Sequence, residues 1–99
     1  MSHISFIWNY RKAQLNLVKH RVSFEEAQTV FSDSNAVQYF DSDHSQNEDR
    51  FLMLGMSANF RLLMVCHTYN DHSKDTIIRL ISARPATSKE RRNYKKEQL

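Results

Sequence analysis

The sequence contains very few of the residues that punctuate or cross-link a chain, with one glycine, one proline and one cysteine in 99 residues. The single cysteine, Cys66, cannot form an internal disulfide, and because it follows the apolar run 62–65 we interpret it as a buried, inert thiol rather than a nucleophile. The acidic segment 41–48 lacks the glycine that a calcium-binding loop requires, so its carboxylates are better explained as solvated loop residues. No internal repeat, low-complexity region or interdomain linker is visible.

Long hydrophobic runs are also missing. The mean hydropathy is −0.65 and hydrophobic residues make up 40% of the chain, a composition typical of a globular fold rather than of a membrane protein or a disordered chain. No basic segment leads into an apolar stretch at the N-terminus, so we expect no signal peptide and take the cytoplasm as the default location. The length predicts one domain over residues 1–99, with residues 95–99 as a frayed tail.

Charge is distributed unevenly along the chain. The formal net charge is +3, but six lysines and arginines lie between Arg84 and the C-terminus, while Asp and Glu crowd residues 41–49. A basic end favours a polyanion or an acidic protein as partner. A solvated terminal helix would carry the same charges, so charge alone does not decide between these alternatives.

Periodicity and capping signals predict three helices. Asn9 caps a first helix that runs to about His20, with Ala13, Leu15, Leu17 and Val18 on a partly amphipathic face. A second helix, capped by Ser23 with Glu26 reaching back, ends near residue 32 or 33. A third begins at residue 87 or 88, where Thr87 and Glu90 form a capping box.

Five strands complete the predicted fold, and they cover residues 4–8, 36–40, 50–56, 60–67 and 76–83. The last four follow one another through short polar turns, which predicts an antiparallel meander. Pro85 cannot donate a backbone hydrogen bond and should end the last strand near Arg84. The fold class is therefore α+β, in the order strand, helix, helix, four antiparallel strands, C-terminal helix.

Two kinds of chemistry can be considered for such a domain. The five histidines show neither a helical i, i+4 pair nor Cys-x-x-Cys spacing, which gives little support to a zinc site. Metal-free RNA cleavage needs a proton acceptor, cations around the phosphate and an acid for the leaving oxygen. Residues able to supply these groups are Glu48, Arg50, His67, Arg79, Arg84, Arg91 and Tyr94.

Antiparallel pairing of the last two strands would bring the end of one close to the start of the other, and so could place His67 near Arg79. Each candidate also has a plainer explanation: Arg79 as a solvent-facing strand residue, Glu48 and Arg50 as a surface salt bridge, and Tyr94 as a hydrophobic lid. Only their co-location in the fold would favour catalysis.

Several blocks of the sequence carry a family resemblance. They are Phe6-x-Trp8-Asn9-x-x-Lys12, Asn16-x-x-Lys19-His20-x-Val22-Ser23-Phe24-Glu25-Glu26-Ala27, Glu48-Asp49-Arg50 and Ile78-Arg79-Leu80-Ile81-Ser82-Ala83-Arg84-x-Ala86-Thr87-x-x-Glu90-Arg91-x-x-Tyr94. In this order they resemble the BrnT toxin family nearly from end to end. The resemblance implies a RelE-like ribonuclease toxin of a type II toxin–antitoxin pair, which blocks translation by cutting RNA. It also implies a BrnA-type antitoxin that neutralises the toxin and, through its own DNA-binding part, lets the complex repress its operon.

Three positions depart from the family pattern. Asn9 replaces the usual aspartate, which still permits helix capping. Arg21 replaces the usual glycine after Lys-His, so the first helix should end without the residue that most easily adopts a left-handed conformation. Pro85 replaces a commonly basic residue, which removes one cation beside Arg84.

The resulting prediction is an endoribonuclease that needs neither metal nor cofactor. Arg79 and Arg84 would hold the scissile phosphate and His67 or Glu48 would transfer a proton. Positioning and RNA-binding groups would be Arg50, Lys19, His20, Arg91 and Tyr94. DNA would be contacted only through the antitoxin complex, and no membrane contact is expected. Two non-catalytic alternatives remain open: a binding module for nucleic acid or protein that acts in operon autoregulation, and an inactive relative of the toxin.

Overall fold

The computed structural model describes residues 3–98. Its five strands are β1 (His3–Ile7), β2 (Val37–Phe40), β3 (Phe51–Met56), β4 (Leu62–His72) and β5 (Asp75–Pro85). Its three α-helices are α1 (Tyr10–His20), α2 (Phe24–Gln28) and α3 (Ser88–Lys96). Short 3₁₀ turns cover Thr29–Ser32 and Ser42–His44. The α+β class and the order of the major elements agree with the prediction.

The sheet is mixed, with the strand order β1-β5-β4-β3-β2. Strands β2 to β5 pair antiparallel, whereas β1 pairs parallel with β5 in the register Phe6 to Ile78. The description as four antiparallel strands is therefore corrected to a five-stranded mixed sheet. The backbone of β1 forms its hydrogen bonds with the free edge of β5. The helices after β1 then carry the chain across to β2 at the opposite edge of the sheet.

Helix α1 covers the edge of β5 beyond the end of β1. The side-chain amide of Asn16 accepts from the Ala83 backbone N–H at 3.0 Å and donates to the Ala83 and Val22 carbonyls at 2.9 Å each. Asn16 thus completes the strand edge in place of a neighbouring strand. Of the amphipathic face predicted for α1, only Ala13 packs against the core, whereas Leu15, Leu17 and Val18 are exposed.

The ends of α1 follow their caps. Asn9 accepts from the Lys12 backbone N–H at 3.0 Å, which confirms the predicted N-cap. Arg21 itself takes the left-handed conformation at φ 58° and donates its N–H to the Leu17 carbonyl. The helix therefore ends in a left-handed turn even though glycine is absent there.

The core lies on both sides of the sheet. On one side α2 and the turn after it bury Phe24, Ala27 and Val30 against the sheet. On the other side α3 packs over Leu54 and Met64. Helix α3 covers the end of this face near the β3–β4 hairpin. No other α-helix of residues 3–98 packs over the rest, which we call the open face, and the loop before β3 reaches it where Glu48 pairs with Arg79.

One predicted capping box is complete and the other is half formed. Thr87 accepts from the Glu90 N–H, and Glu90 accepts from the Thr87 N–H, at the start of α3. At α2, Ser23 accepts from the Glu26 N–H, but the Glu26 carboxylate is buried and accepts instead from Arg61 and Ser57. Glu26 therefore joins α2 to the β3–β4 hairpin rather than closing its own box.

Candidate functional site

A row of polar residues crosses the open face of the sheet. Thr68 of β4 is the register partner of Arg79 on β5. The β3–β4 register, Phe51 to His67, places Arg50 opposite Thr68 one residue further along. Adjacent strands lie about 4.8 Å apart, so the backbones of Arg50 and Arg79 are separated by about 10 Å on one face. We call Arg50, Thr68 and Arg79 the arginine row.

Both arginines of this row keep an unused hydrogen-bond donor. The Nε atoms of Arg50 and Arg79 are enclosed and have no partner, and among residues 3–98 no other enclosed side-chain nitrogen or oxygen shares this condition. An enclosed donor without a partner costs about 1–3 kcal/mol, so native proteins keep few of them. Both donors are therefore unsatisfied within the protein, and because they are enclosed, an anionic ligand reaches them only when the side chains over them move.

Glu48 lies beside the row. Its carboxylate pairs with the Arg79 guanidinium, and both side chains are about half exposed, at 45% and 41%. The sequence offered Arg50 as its partner, and the structure gives it Arg79 instead. Next to them a cleft of about 150 Å³ is lined by Glu48, Arg50 and the loop residues His44, Gln46 and Asn47.

Arg84 lies at the other end of the same face. It is five residues from Arg79 along β5, roughly 15 Å away, so the two guanidinium groups serve different points on the surface. Arg84 Nη1 and Nη2 donate to the two oxygens of Glu90 at 2.8 and 2.9 Å. This hydrogen bonding lowers the pKa of Glu90 to about 2. Arg84 is thus occupied in holding α3 to the sheet.

His67 lies on the opposite face from the arginine row. A register shift between Cys66 and His67 pairs His67 with Leu80, and its ring is fully buried. It contacts the Val65 carbonyl at 3.1 Å and Gln38 at 3.2 Å. Burial lowers the pKa of His67. The antiparallel pairing did bring this part of β4 beside Arg79, but side-chain alternation points the imidazole to the other side.

A groove of about 640 Å³ is on that second face. Aromatic residues Phe31, Phe51 and Tyr69 line it, and Asp49 and Asp71 are at its exposed rim. The two carboxylates at the rim repel the phosphates of an RNA backbone. Size alone does not make this groove the RNA site.

The four predicted RNA-binding residues are spread over two helices. Lys19 and His20 line a cleft of about 190 Å³ between α1 and Ser82 at the edge of β5. Arg91 is exposed on α3. Tyr94 is half-buried on the inner side of α3, where it donates to Asp33 at 2.7 Å. Burial and this hydrogen bond raise the pKa of Tyr94 to about 12, and its contacts are those of an anchor for the helix.

Thr68 and Cys66 also lie on the open face. Thr68 was not singled out, and only its register opposite Arg79 places it in the row. Cys66 is buried on the same face as Arg50, and burial raises the pKa of its thiol above the ordinary value. A thiol held in this form is a weak nucleophile.

Within residues 3–98, no group of three or more His, Cys, Asp or Glu side chains is arranged to hold a metal ion. In the same part of the chain, none of the helices has the length and apolar character needed to cross a membrane.

The fold and the site together define the class of protein. It is a small α+β domain with a mixed five-stranded sheet and an open face that carries arginines. Residues 8–90 match the family model described as the ribonuclease toxin, BrnT, of type II toxin–antitoxin systems. The chain therefore belongs to the BrnT family of ribonuclease toxins, and the resemblance seen in the sequence is confirmed. Membership implies an RNA substrate and an antitoxin partner.

A solved structure supports the same fold. The chain is similar to the crystal structure of the Brucella abortus ribonuclease toxin BrnT, with a TM-score of 0.58 and 20% sequence identity. The match covers 89% of this chain and 100% of the Brucella chain. A comparison with curated proteins gave no match.

Proposed function

We propose that this protein is the toxin of a type II pair and cleaves RNA at the arginine row, by attack of a 2′-hydroxyl and without a metal ion. The observation that carries the proposal is the pair of enclosed, unpartnered Nε donors of Arg50 and Arg79 beside Glu48. In cells the outcome is inhibition of translation in the cytoplasm. A BrnA-type antitoxin neutralises the protein and provides any DNA contact, and the domain is assigned to the RelE-like toxins.

The chemistry follows from charge and reach. Arg79 on β5 and Arg50 at the start of β3 donate to the scissile phosphate from either side of β4 and neutralise the charge that builds up as the 2′-oxygen attacks. Glu48 lies against Arg79 and accepts the 2′-hydroxyl proton as the 2′-oxygen bonds to phosphorus. The bond from phosphorus to the 5′-oxygen then breaks, and this leaving oxygen takes a proton from solvent water. Phosphate binding competes with Glu48 for the Arg79 guanidinium, which releases the carboxylate for this role.

The remaining cations lie around this centre. Lys19 and His20 at the β5 edge and Arg91 on α3 contact RNA phosphates away from the cut. Arg84 keeps α3 in place through Glu90 and adds positive charge at the far end of the face. His67, buried on the other face, and Tyr94, bonded to Asp33, support the fold and are not assigned a chemical step.

Purified protein incubated with RNA in excess EDTA tests the proposal. We expect cleavage, with 2′,3′-cyclic phosphate ends on the upstream fragments, because the attacking oxygen belongs to the substrate. Intact RNA at high protein concentration would overturn the proposal and favour the non-catalytic alternative. Cleavage that EDTA abolishes and added Mg²⁺ restores would contradict metal independence.

Glu48→Gln separates the proton-transfer role from charge and shape. The amide keeps the size of the carboxylate, and loss of a general base lowers rates by about 10²- to 10⁴-fold. We expect such a fall in the single-turnover cleavage rate, with RNA affinity unchanged or improved because a negative charge is removed. A cleavage rate equal to that of the unaltered protein would show that another group takes the proton.

A further inference from the structure

Helix α1 presents apolar side chains to solvent and a polar side chain to the protein interior. Asn16 is its one buried residue, whereas Leu15, Leu17 and Val18 are 63%, 51% and 81% exposed. These residues border a shallow groove of about 480 Å³, together with Arg11 and Gln14. Tyr10, one turn earlier, is 73% exposed. A short helix with its apolar side turned outward leaves a patch that a partner could bury.

The charged side chains on and beside this patch along α1 are all basic. The first 24 residues contain no Asp or Glu. Arg11, Lys12 and Lys19 are exposed on α1, and Arg21 follows at its end. A second copy of the helix would bring like charges together, which disfavours self-association through this surface. A protein segment with apolar anchors flanked by carboxylates fits it best.

The patch also leads to the arginine row. Leu15 borders both the α1 groove and the cleft lined by Lys12, Lys19 and His20, and that cleft ends at Ser82 on β5. Ser82 pairs with Cys66, which is two residues from Thr68 along β4. A chain bound on α1 can therefore continue over the edge of β5 toward the face where RNA is cut.

We infer that the exposed face of α1 is the docking site for the antitoxin, through a segment with apolar residues seated against Leu17 and Val18 and acidic residues beside the α1 cations. The inference rests on the proposed function, since it presupposes an antitoxin. From this anchor the acidic segment follows the Lys19 cleft and competes with RNA for the cationic face.

The test uses the full-length toxin and, as probe, the purified antitoxin encoded by the adjacent gene. Leu17→Gln/Val18→Gln removes the apolar anchors while keeping good helix formers. The matched control is Phe60→Asn, which removes an exposed aromatic residue at the β3–β4 hairpin, where φ is 61° and asparagine is well tolerated. Circular dichroism and melting temperature establish that each variant is folded.

We expect the double variant to bind the antitoxin at least about 10-fold more weakly in calorimetry, since two central apolar anchors are lost. It should cleave RNA at the unaltered rate when antitoxin is absent, and should resist neutralisation in the mixture. The Phe60→Asn control should behave as the unaltered toxin in both assays. Arg11→Glu should also weaken binding, with a smaller dependence on salt.

Three results would overturn the inference. One is equal antitoxin affinity for the double variant and the control. Another is loss of RNA cleavage in the folded double variant, which would make α1 part of the RNA surface. A third is α1-dependent binding to anionic phospholipid vesicles with unchanged antitoxin affinity. If the unaltered toxin binds no antitoxin, the proposed pairing itself fails, and this outcome is distinct from the other three.

Discussion

Arg21, at the end of α1, has a left-handed backbone conformation that is unfavourable for any residue except glycine. A non-glycine residue at φ 58° costs roughly 1 kcal/mol. Its carbonyl accepts from Arg61 Nη2 at 2.9 Å, so the position ties α1 to the β3–β4 hairpin through a backbone atom that any residue supplies. A glycine at position 21 could make the same backbone contact, so this contact does not require the strained conformation of Arg21.

Arg21→Gly should therefore stabilise the protein. The expected gain is about 1 kcal/mol, or a rise in melting temperature of about 4–8 °C for a domain of this size. Arg21→Ala removes the same side chain while keeping the strain, and should show no such rise. Equal melting temperatures for the glycine and alanine variants would show that the left-handed turn is not strained.

Glu90 makes the stability of the protein depend on pH. Its pKa falls to about 2 through the Arg84 hydrogen bonds, below the ordinary value of 4.5. Because the folded-state pKa is lowered, the stabilisation is complete above about pH 4.5 and is lost as pH falls toward 2. With Arg84 partly exposed, we expect about 1–2 kcal/mol rather than the full value of the shift.

Urea unfolding of Glu90→Gln at several pH values measures this contribution. Glutamine can still form a capping box, so the variant mainly removes the ion pair. At pH 6 it should be less stable than the parent by about 1–2 kcal/mol, and the difference should shrink toward zero near pH 2. A difference that does not change with pH would assign the effect to capping or packing.

At the scale of elements, strand β3 packs closely against the turn after α2. A Cβ atom added at Gly55 would lie 2.8 Å from Val30 Cγ1 and 3.0 Å from Ala36 Cβ. The one glycine of the chain thus lets this turn rest directly on the sheet. Asp33, just beyond it, accepts from the Met56 N–H and from the Tyr94 hydroxyl, and so joins the same place to α3.

Gly55→Ala should destabilise the fold. Overpacking of this kind costs about 1–3 kcal/mol, which chemical denaturation can measure. The control is Ala58→Gly, which changes one methyl group at an exposed position in the turn after β3, outside the core. If Gly55→Ala has the stability of the unaltered protein, the turn has room to move away from β3.

Local signals predicted the elements well because caps act within a few residues. Asn9, Ser23 and Thr87 each accept a backbone N–H in the first turn of its helix. Position across the sheet depends on long-range pairing, and the parallel partner of β1 had no local signal. Leu15, Leu17 and Val18 were predicted on the amphipathic face of α1 together with Ala13, but only Ala13 packs inward, because the edge of β5 is completed by the amide of Asn16.

The candidate site was predictable in composition and only partly in arrangement. Arg50 and Arg79 share one face because the strand registers align them, and the loop before β3 brings Glu48 against Arg79. The same alternation puts His67 on the other face, and a shift of one residue would have reversed its side. Register is set by the whole sheet, so the sequence could name the residue types without showing which of them meet.

At the scale of the whole molecule, the two sides of the sheet differ in charge and chemistry. One side combines the arginine row with Glu48, and the other has an aromatic groove with Asp49 and Asp71 at its rim. Helix α1 at the edge of β5 adds the cation-flanked apolar patch. We therefore propose that RNA binds the first side and the antitoxin binds α1, with the cleft at Lys19 connecting the two surfaces.

The single-turnover rate of RNA cleavage in EDTA, compared between Arg79→Ala and Asp71→Asn, tests the central claim most directly. Both residues lie on the same strand pair, but they face opposite sides of the sheet. We expect Arg79→Ala to lose at least about 100-fold in rate, as when a group that stabilises transition-state charge is removed. Asp71→Asn should keep the unaltered rate. A folded Arg79→Ala variant with full activity, or a comparable loss in Asp71→Asn, would contradict the account.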